Sequence, residues 1–513
     1  MGALERLGVS QAFGMPGMWS LPIYEALRCS KVNHILVRHE QFAAYAADGY
    51  ARASGRPACC IGTAGQGAVN IASGVAVAYR DHSPVIALTG QVPTYELGLG
   101  WIEDLDQQAI FRPVTKSTMQ ISDPEKTYGA ITHAYKSSME GCPGPAHVGI
   151  PGDLQGMPSC MGSRLPKIMK ASPDQALLEA AADAVLTSHS PLILAGWGAV
   201  LSGSAGKLVE LAESIQAPVV TSLMGRGAVP EDSPVSLGPV GRRGNPSANQ
   251  ALSSCDLLLA LGCRLTNMTV DVPLNCRIVQ VDVCAAHFSP RASVKVESDI
   301  SLFIEGLLPR IRPSAGRSQP RPPAEPLEPS ERSYAFAKVI ASFSEAVFSL
   351  DIGQNTIWMM RAIRAKRPRQ VIFSGNMSAM GFSLPAAIGA KVALPERMVI
   401  AVTGDGGFQM AASELSTVRE NGLNVAVCVF NNRSLGLIRQ LQERVYSATH
   451  GVNYSDPPSY TKLAEAHGIR GMVVDTPSDL QDALRSADEP LVIEIPLPRE
   501  EDVDMPRLRL DGS

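Results

Sequence analysis

Apolar residues along this chain come in short runs closed by Gly, Pro, Asp or Asn, and the stretches between the runs carry helix-like patterning. As far as about Pro166 the runs are ILVRH, PACCIGT, PVIALTG and AHVGIP. A second block, from about Ser172, holds PLILAGWG, APVVTSL, CDLLLALG and RIVQVDV. A third, from about Arg332, holds AVFSLDIG, QVIFSG, MVIAVTGDG, VAVCVFNN and PLVIEIP. Short apolar runs bounded by turn residues predict buried strands, and their alternation with helices predicts parallel sheets covered on both faces. The expected architecture is α/β, with three doubly wound parallel-sheet domains over 1–166, 172–312 and 332–513. Residues 313–331 lie in RPSAGRSQPRPPAEPLEPSE, which is rich in Pro, Ser and charge and has no periodicity. That segment reads as a solvated linker. No short-period repeat is present.

Composition narrows this picture only a little. A chain of 513 residues is too long for a single core. Hydrophobic residues at 45% and charged residues at 18% describe a soluble globular protein. A net charge of −4 gives no reason to expect nucleic acid or an anionic membrane as partner. No apolar run has transmembrane length, and MGALERLGVSQAFG lacks the layout of a signal peptide. Arg6 stands where a myristoylation motif needs Ser or Thr. The ten cysteines are scattered without C-x-x-C or Cys/His spacing. They read as buried thiols of a cytoplasmic protein rather than a zinc site or disulfide framework.

The segment GDGGFQMAASELSTVRENGLNVAVCVFNN carries the strongest chemical signal. One predicted strand ends in Gly404-Asp405-Gly406-Gly407, and the next, one helix later, ends in Asn431-Asn432. In a parallel sheet both strand ends lie on the carboxyl edge, so Asp405 and Asn432 converge where ligands bind. Glycines admit close backbone approach, and a pair of hard oxygens suits Mg²⁺, which shares its shell with phosphates. Either motif alone is more often an ordinary turn. Glu40, in LVRHEQFAAYAADGYARASG, stands where a strand passes into a helix of small residues; taken alone it is a helix-start acid favoured by the macrodipole. In GTAGQG the glycines fall as G-x-x-G-x-G, which is not the dinucleotide fingerprint.

From Gly404-Asp405-Gly406 to Asn431-Asn432 the chain resembles the diphosphate–metal motif of thiamin diphosphate (ThDP) enzymes. The resemblance extends in matching order through RHEQFAAYAADGYARASG, GTAGQGAVNIASGVAVAYRDHSPVIALTGQVP, RPVTK, GRGAVPEDSPVSLG, MGFSLPAAIGA and NNRSLGLIRQ. Among these enzymes it is closest to the acetolactate synthase (acetohydroxyacid synthase) catalytic subunits. It implies a pyrimidine-binding domain, a central Rossmann-like domain and a diphosphate-binding domain. It also implies ThDP and Mg²⁺ as cofactors and a 2-oxo acid as substrate. Glu40 matches the glutamate that hydrogen-bonds the aminopyrimidine, and Met380 the apolar residue beneath the bent cofactor. Asp405, Asn432 and the Ser434 carbonyl match the metal ligands. Gly404, Gly406, Gly407, Gly353 and Gln354 match diphosphate contacts, Gly65 and Gln66 a loop near the thiazolium, and Lys116 a site for an anionic substrate. The family shares its active sites between subunits, which implies a homodimer or a dimer of dimers. It further points to FAD bound by the central domain, with Arg112, from the first domain, and Gly225, Gly262, Arg264 and Asp282 at matching segments. Turns and a solvated basic loop, Arg242-Arg243-Gly244, account for most of the central-domain residues without a ligand, and both readings stand at this point.

Departures from the synthases cluster at the substrate end. Ile102-Glu103-Asp104 replaces a Phe-Gln-Glu run. Leu265-Thr266-Asn267-Met268 replaces a segment whose arginine grips the second oxo acid, and Met268 cannot offer a bidentate, charge-assisted contact. Leu441 stands for a pocket tryptophan. The expected activity is ThDP-dependent decarboxylation and carboligation of a 2-oxo acid, with acetolactate formation the best single named reaction. The alternatives are a decarboxylase or lyase with another substrate, a flavin-dependent ThDP oxidase, and a non-catalytic subunit of the same fold.

Overall fold

The computed structural model describes residues 1–162, 165–311 and 331–503. Apart from Glu331, the expected linker over 313–331 lies outside them. Among the described residues, strands assemble into three six-stranded sheets. The first contains β1 (Gln11–Gly14), β2 (Asn33–Leu36), β3 (Ala58–Gly62), β4 (Val85–Gln91), β5 (Ser117–Gln120) and β6 (Ala146–Pro151), in the order β2-β1-β3-β4-β6-β5. The second contains β7 (Pro191–Ala195), β8 (Val219–Thr221), β9 (Ser236–Pro239), β10 (Leu257–Leu261), β11 (Arg277–Asp282) and β12 (Val294–Glu297), ordered β12-β11-β10-β7-β8-β9. The third contains β13 (Val347–Leu350), β14 (Val371–Phe373), β15 (Val399–Gly404), β16 (Val425–Asn431), β17 (Arg470–Val473) and β18 (Leu491–Pro496), ordered β14-β13-β15-β16-β18-β17. Neighbouring strands run parallel, as in the registers Ala12↔Cys59, Leu257↔Pro191 and Val399↔Val425. The three sheets, with helices between their strands, make the chain α/β, as the apolar pattern predicts.

Counted from its own first strand, the first sheet has the order 2-1-3-4-6-5, and so does the third. The second has the order 3-2-1-4-5-6 of dinucleotide-binding sheets. Each order fixes where a ligand crevice opens, namely outside the carboxyl ends of the strands at which the winding reverses. These are β1 and β3 in the first sheet, β7 and β10 in the second, and β13 and β15 in the third.

The chain folds into two compact units. The first joins Met1–Ile168, Ala346–Thr356 and Ile372–Arg499, so it holds the first and third sheets. The second is built from Met169–Glu345, Ile357–Val371 and Glu500–Ser513 and holds the middle sheet. Within the first unit, α1 (Glu40–Ser54) follows β2, α2 (Gln66–Arg80) follows β3, and α3 (Ser383–Ala393) precedes β15. Helices α1 and α3 pack directly on each other through Ala43, Ala46, Ala47, Ala386, Ala387 and Ala390, all buried. The approach is close enough to exclude side chains. A Cβ built on Gly49 would lie 2.1 Å from the Ala386 carbonyl oxygen, and one on Gly389 only 1.8 Å from that of Ala46. Helix α1 ends at Gly55, whose left-handed φ of 75° lets its N–H reach the Ala51 carbonyl.

A buried charge network locks the same two halves. The Arg52 guanidinium donates to Asp48 at 2.7 and 2.8 Å, to Asp81 at 2.9 Å and to the Phe373 carbonyl at 2.8 Å. Asp81 also accepts the backbone N–H groups of Gly375 and Asn376, both at 3.0 Å. The carboxylates beside it hold the Arg52 guanidinium above its usual range despite its burial. The expectation of buried thiols is corrected in part. Cys59, Cys60, Cys255, Cys263 and Cys428 are buried, but Cys29 and Cys160 are exposed. Both exposed cysteines lie outside the strands.

Candidate active site

The third sheet places its chemistry at the predicted edge. β15 ends at Gly404, and Asp405 opens α4 (Asp405–Ala411). β16 ends at Asn431, and the chain turns through Asn432 to Ser434. The Ser434 N–H points at two side-chain oxygens at once, Asp405 Oδ2 at 3.1 Å and Asn432 Oδ1 at 3.2 Å. A carboxylate oxygen and an amide oxygen therefore meet at one point. All three residues are buried, with relative exposures of 2%, 7% and 3% for Asp405, Asn432 and Ser434. Loss of water pushes the Asp405 carboxyl up to about 6, against the pull of backbone N–H groups that include those of Gly406 and Ser434. Among the described residues no ion pair involves Asp405, and hard oxygens gathered around a buried carboxylate suit a small divalent cation.

The neighbouring residues complete this cluster. Asn432 Nδ2 donates to Gln354 Oε1 at 3.0 Å, which joins the Asp-Ile-Gly-Gln loop after β13 to the Asn-Asn turn after β16. Gly436, at the start of α5 (Gly436–Tyr446), sits against that pair; a Cβ there would fall 2.1 Å from Gln354 Oε1. Gly353 has a φ of 142°, a conformation glycine favours. A Cβ on Gly406 would meet Leu435, the Tyr454 hydroxyl at 2.9 Å and Met380 Cε at 3.1 Å. Met380 thus lies over the Gly-Asp-Gly turn. Asp351, which sequence reasoning missed, fixes this arrangement. Its carboxylate accepts the N–H groups of Ile352 (2.9 Å), Gly381 (3.1 Å) and Ser383 (3.2 Å), and burial pushes it up to about 6. Its place as the first residue after β13 was the available signal.

A second cluster forms on the first sheet. Glu40 is the first residue of α1, and His39 caps the helix by accepting the Gln41 N–H on its ring nitrogen at 3.2 Å. Asn70 Nδ2 donates to Glu40 Oε2 at 2.9 Å, while Asn70 Oδ1 accepts from Gln66 Nε2 at 2.8 Å. Gly65, with φ 57°, caps α2, and a Cβ on Gly67 would lie 3.3 Å from Glu40 Oε1. Glu40, Gln66 and the Gly-rich turn are therefore brought together through Asn70. Sequence reasoning passed over Asn70, although it stands one helical turn beyond Gln66. Among the described residues no hydrogen bond joins this cluster to that of Asp405.

Lys116 is not brought to Glu40. It lies just before β5, at the amino edge of the first sheet, where Nζ donates to the Glu140 carbonyl at 2.6 Å and the stem packs beside Gly144. Arg112 is exposed on the turn Arg112–Val114.

In the middle unit, Gly225 and Gly262, matched to a flavin site, lie beside β7 and β10, at the winding reversal. The Gly198 N–H donates to the Gly262 carbonyl at 3.0 Å and the Gly262 N–H to that of Val281 at 2.8 Å. A Cβ on Gly225 would fall 2.3 Å from the Ala195 carbonyl. Asp282 Oδ1, at the end of β11, lies 3.0 Å from His287 Nδ1 and accepts the Cys284 N–H. Arg226 is fully engaged by Glu231 and the carbonyls of Met360 and Ile363. Arg264 is half-buried. These hydrogen bonds of Gly262 and Asp282 thus run to neighbouring groups of the same sheet edge. The expected solvated basic loop is also corrected: Arg242 donates to Asp271, and burial pulls the Arg243 guanidinium below its ordinary value. Met268, where the synthase arginine would stand, is 43% exposed.

Three family descriptions match the chain in order. They are the thiamine pyrophosphate enzyme N-terminal TPP binding domain over residues 1–110, the central domain over 178–307, and the C-terminal TPP binding domain over 351–495. A probable acetolactate synthase large subunit of Methanocaldococcus jannaschii is 37% identical, covering 96% of this chain and 90% of that protein. The acetolactate synthase large subunit of Lactococcus lactis is 34% identical, covering 98% and 92%. The chloroplastic acetolactate synthase 2 of Nicotiana tabacum is 32% identical, covering 100% and 83%. Among the described residues no helix is long and apolar enough to cross a membrane.

Proposed function

This chain belongs to the thiamine pyrophosphate enzyme family, and from that membership we propose that it decarboxylates a 2-oxo acid and joins the remaining fragment to an acceptor, in the manner of an acetolactate synthase. The observation that carries the reading is the convergence of Asp405 Oδ2 and Asn432 Oδ1 on one amide, beneath Met380 and beside two glycines. These residues fit the cofactor. Asp405, Asn432 and the Ser434 carbonyl would hold Mg²⁺, and the N–H groups of Gly406 and Gly407 would face a diphosphate. Gly353 and Gln354 would close its other side, and Met380 would support a bent cofactor. When bound, ThDP supplies the nucleophilic carbon and the electron sink for decarboxylation.

The chain's own contribution is binding, proton handling and orientation. Glu40 would share a proton with the aminopyrimidine ring nitrogen, with Asn70 holding its second oxygen so that the first faces the ligand. As the family shares its active sites between subunits, the site would be completed by a homodimer in which one copy supplies the Glu40 cluster and the other the Asp405 cluster. Gly65, Gln66 and Met380 would then face the 2-oxo acid. No flavin step is assigned.

One observation favours a different acceptor within the same reading. Met268 is exposed and offers no cationic grip, and Leu441 stands where the synthases carry tryptophan. The test is incubation of the purified protein with ThDP, Mg²⁺ and a panel of 2-oxo acids, following CO₂ and condensed product in parallel. CO₂ matched by condensed product supports carboligation. CO₂ matched by free aldehyde identifies a decarboxylase, and no CO₂ from any 2-oxo acid overturns the reading.

A further inference from the structure

Glu414 is fully buried and touches none of the groups assigned to metal or diphosphate. It opens a short helix, Glu414–Glu420, immediately after the one begun by Asp405. Its Oε1 accepts the Arg38 N–H at 2.7 Å, and its Oε2 accepts the Thr417 hydroxyl at 2.7 Å from one turn further along. The Thr417 hydroxyl also reaches the Leu36 carbonyl at 3.2 Å. The His39 N–H faces the same carboxylate, and the Arg38 side chain pairs with Glu420 on the same helix. One turn of this helix therefore satisfies the backbone of Leu36–His39, the stretch that leaves β2 and enters α1 at Glu40. Burial pushes the Glu414 carboxyl up to about 7. An acid kept in such surroundings needs an acceptor role that an apolar side chain cannot fill, because the Arg38 and His39 N–H groups would lose their partner.

We propose that Glu414 is the positioning residue for Glu40: by gripping the Leu36–His39 turn, it sets where the Glu40 carboxylate stands relative to the aminopyrimidine. This rests on the reading of Glu40 as the residue that meets the cofactor ring. Glu414 itself touches neither substrate nor cofactor. Geometry at this point is demanding, since a misplacement of about 1 Å can cost about a hundredfold in rate.

The test compares full-length wild type with Glu414→Ala, Glu414→Gln and Thr417→Val. Three quantities are read: kcat and KM for the 2-oxo acid, ThDP affinity by titration calorimetry with Mg²⁺, and amide hydrogen exchange over residues 36–45. For Glu414→Ala we expect faster exchange at 36–40 and kcat lower by about 10–100-fold. KM and ThDP affinity should stay within about threefold. Glu414→Gln keeps an oxygen for the Arg38 N–H and should restore most of kcat. Thr417→Val keeps the carboxylate but removes the hydroxyl that donates to it and reaches the Leu36 carbonyl, and should shift exchange and kcat in the same direction by less. If Glu414→Ala does not fold, the Gln and Val variants decide the matter. Wild-type kcat in Glu414→Ala or Thr417→Val with faster exchange at 36–40 overturns the inference, and so does exchange unchanged in both of these variants. Absence of ThDP binding and turnover in the wild type overturns the function reading instead, and the two failures are thereby distinguished.

Discussion

The helix pair α1–α3 gives a prediction whose sign is set by structure against propensity. Replacing a mid-helix glycine with alanine ordinarily stabilises by about 0.5–1 kcal/mol, because the unfolded chain loses freedom and the helix gains propensity. At Gly389 the added Cβ would lie 1.8 Å from the Ala46 carbonyl oxygen and 2.7 Å from the Tyr50 nitrogen. A tolerable carbon–oxygen contact is about 3.3 Å, so the helices must part by roughly 1.5 Å locally. Neither neighbour is a flexible side-chain tip, and overpacking of a rigid core costs about 1–3 kcal/mol or more. Gly389→Ala should therefore be destabilising by about 1–3 kcal/mol, a drop in Tm of roughly 2–8 °C for a unit of this size. The control is Gly129→Ala in the helix Thr127–Met139, where a Cβ meets nothing within 4 Å. That change should leave Tm unchanged or raise it slightly. Thermal unfolding of both variants by circular dichroism reads the difference. A Gly389→Ala protein as stable as the control would refute the close-approach account of this interface. Since α1 begins at Glu40, the same variant should also lose turnover.

Three further outcomes follow from named contacts. Arg52→Met leaves Asp48 and Asp81 buried without their cation and should cost about 3–5 kcal/mol, seen as a large fall in Tm. His147 is held neutral: burial pulls it down to about 3, between the Thr89 and Thr118 hydroxyls, each 2.8 Å away, and it stacks on Phe111. The unfolded chain takes up a proton below about pH 6.5 that the folded chain refuses. The stability from this group is thus complete above pH 6.5 and drains by about 1.4 kcal/mol per pH unit down towards pH 3. Tm against pH should be flatter for His147→Asn than for wild type over that window. Asn70→Ala removes the donor to Glu40 and should lower kcat by roughly 10–150-fold with KM unchanged, because a hydrogen bond to a carboxylate contributes about 1.5–3 kcal/mol. Steady-state kinetics would settle that prediction.

Much of this architecture is legible along the chain because burial on both faces leaves uninterrupted apolar runs. β4, β10, β15 and β16 are buried at nearly every position. The strands passed over are mostly sheet edges. β5 is half-exposed along its length, β12 alternates buried and exposed residues, and β17 has exposed ends. β1 is internal but only four residues long, too short to stand out. The shared strand order of the first and third sheets could not be read at all, since hydrogen-bonded neighbours are chosen in three dimensions and no residue repeat records them. At the site, glycines and acids at strand ends announced themselves through position. Asn70 and Asp351 did not, because each acts by what it holds in space, Glu40 and the Met380–Ser383 turn respectively. Lys116 shows the converse: a conspicuous lysine in a matching segment that the sheet places at its other edge.

The central claim is that Asp405 and Glu40 serve one cofactor in two ways, and a paired binding and turnover measurement tests it most directly. ThDP would be titrated with Mg²⁺ into wild type, Asp405→Ala and Glu40→Gln, and CO₂ release from the best 2-oxo acid followed in the same samples. The account predicts Mg²⁺-dependent binding and turnover in wild type. Asp405→Ala should lose both, while Glu40→Gln should retain binding with turnover reduced by at least about a hundredfold. Full turnover in either variant would contradict it.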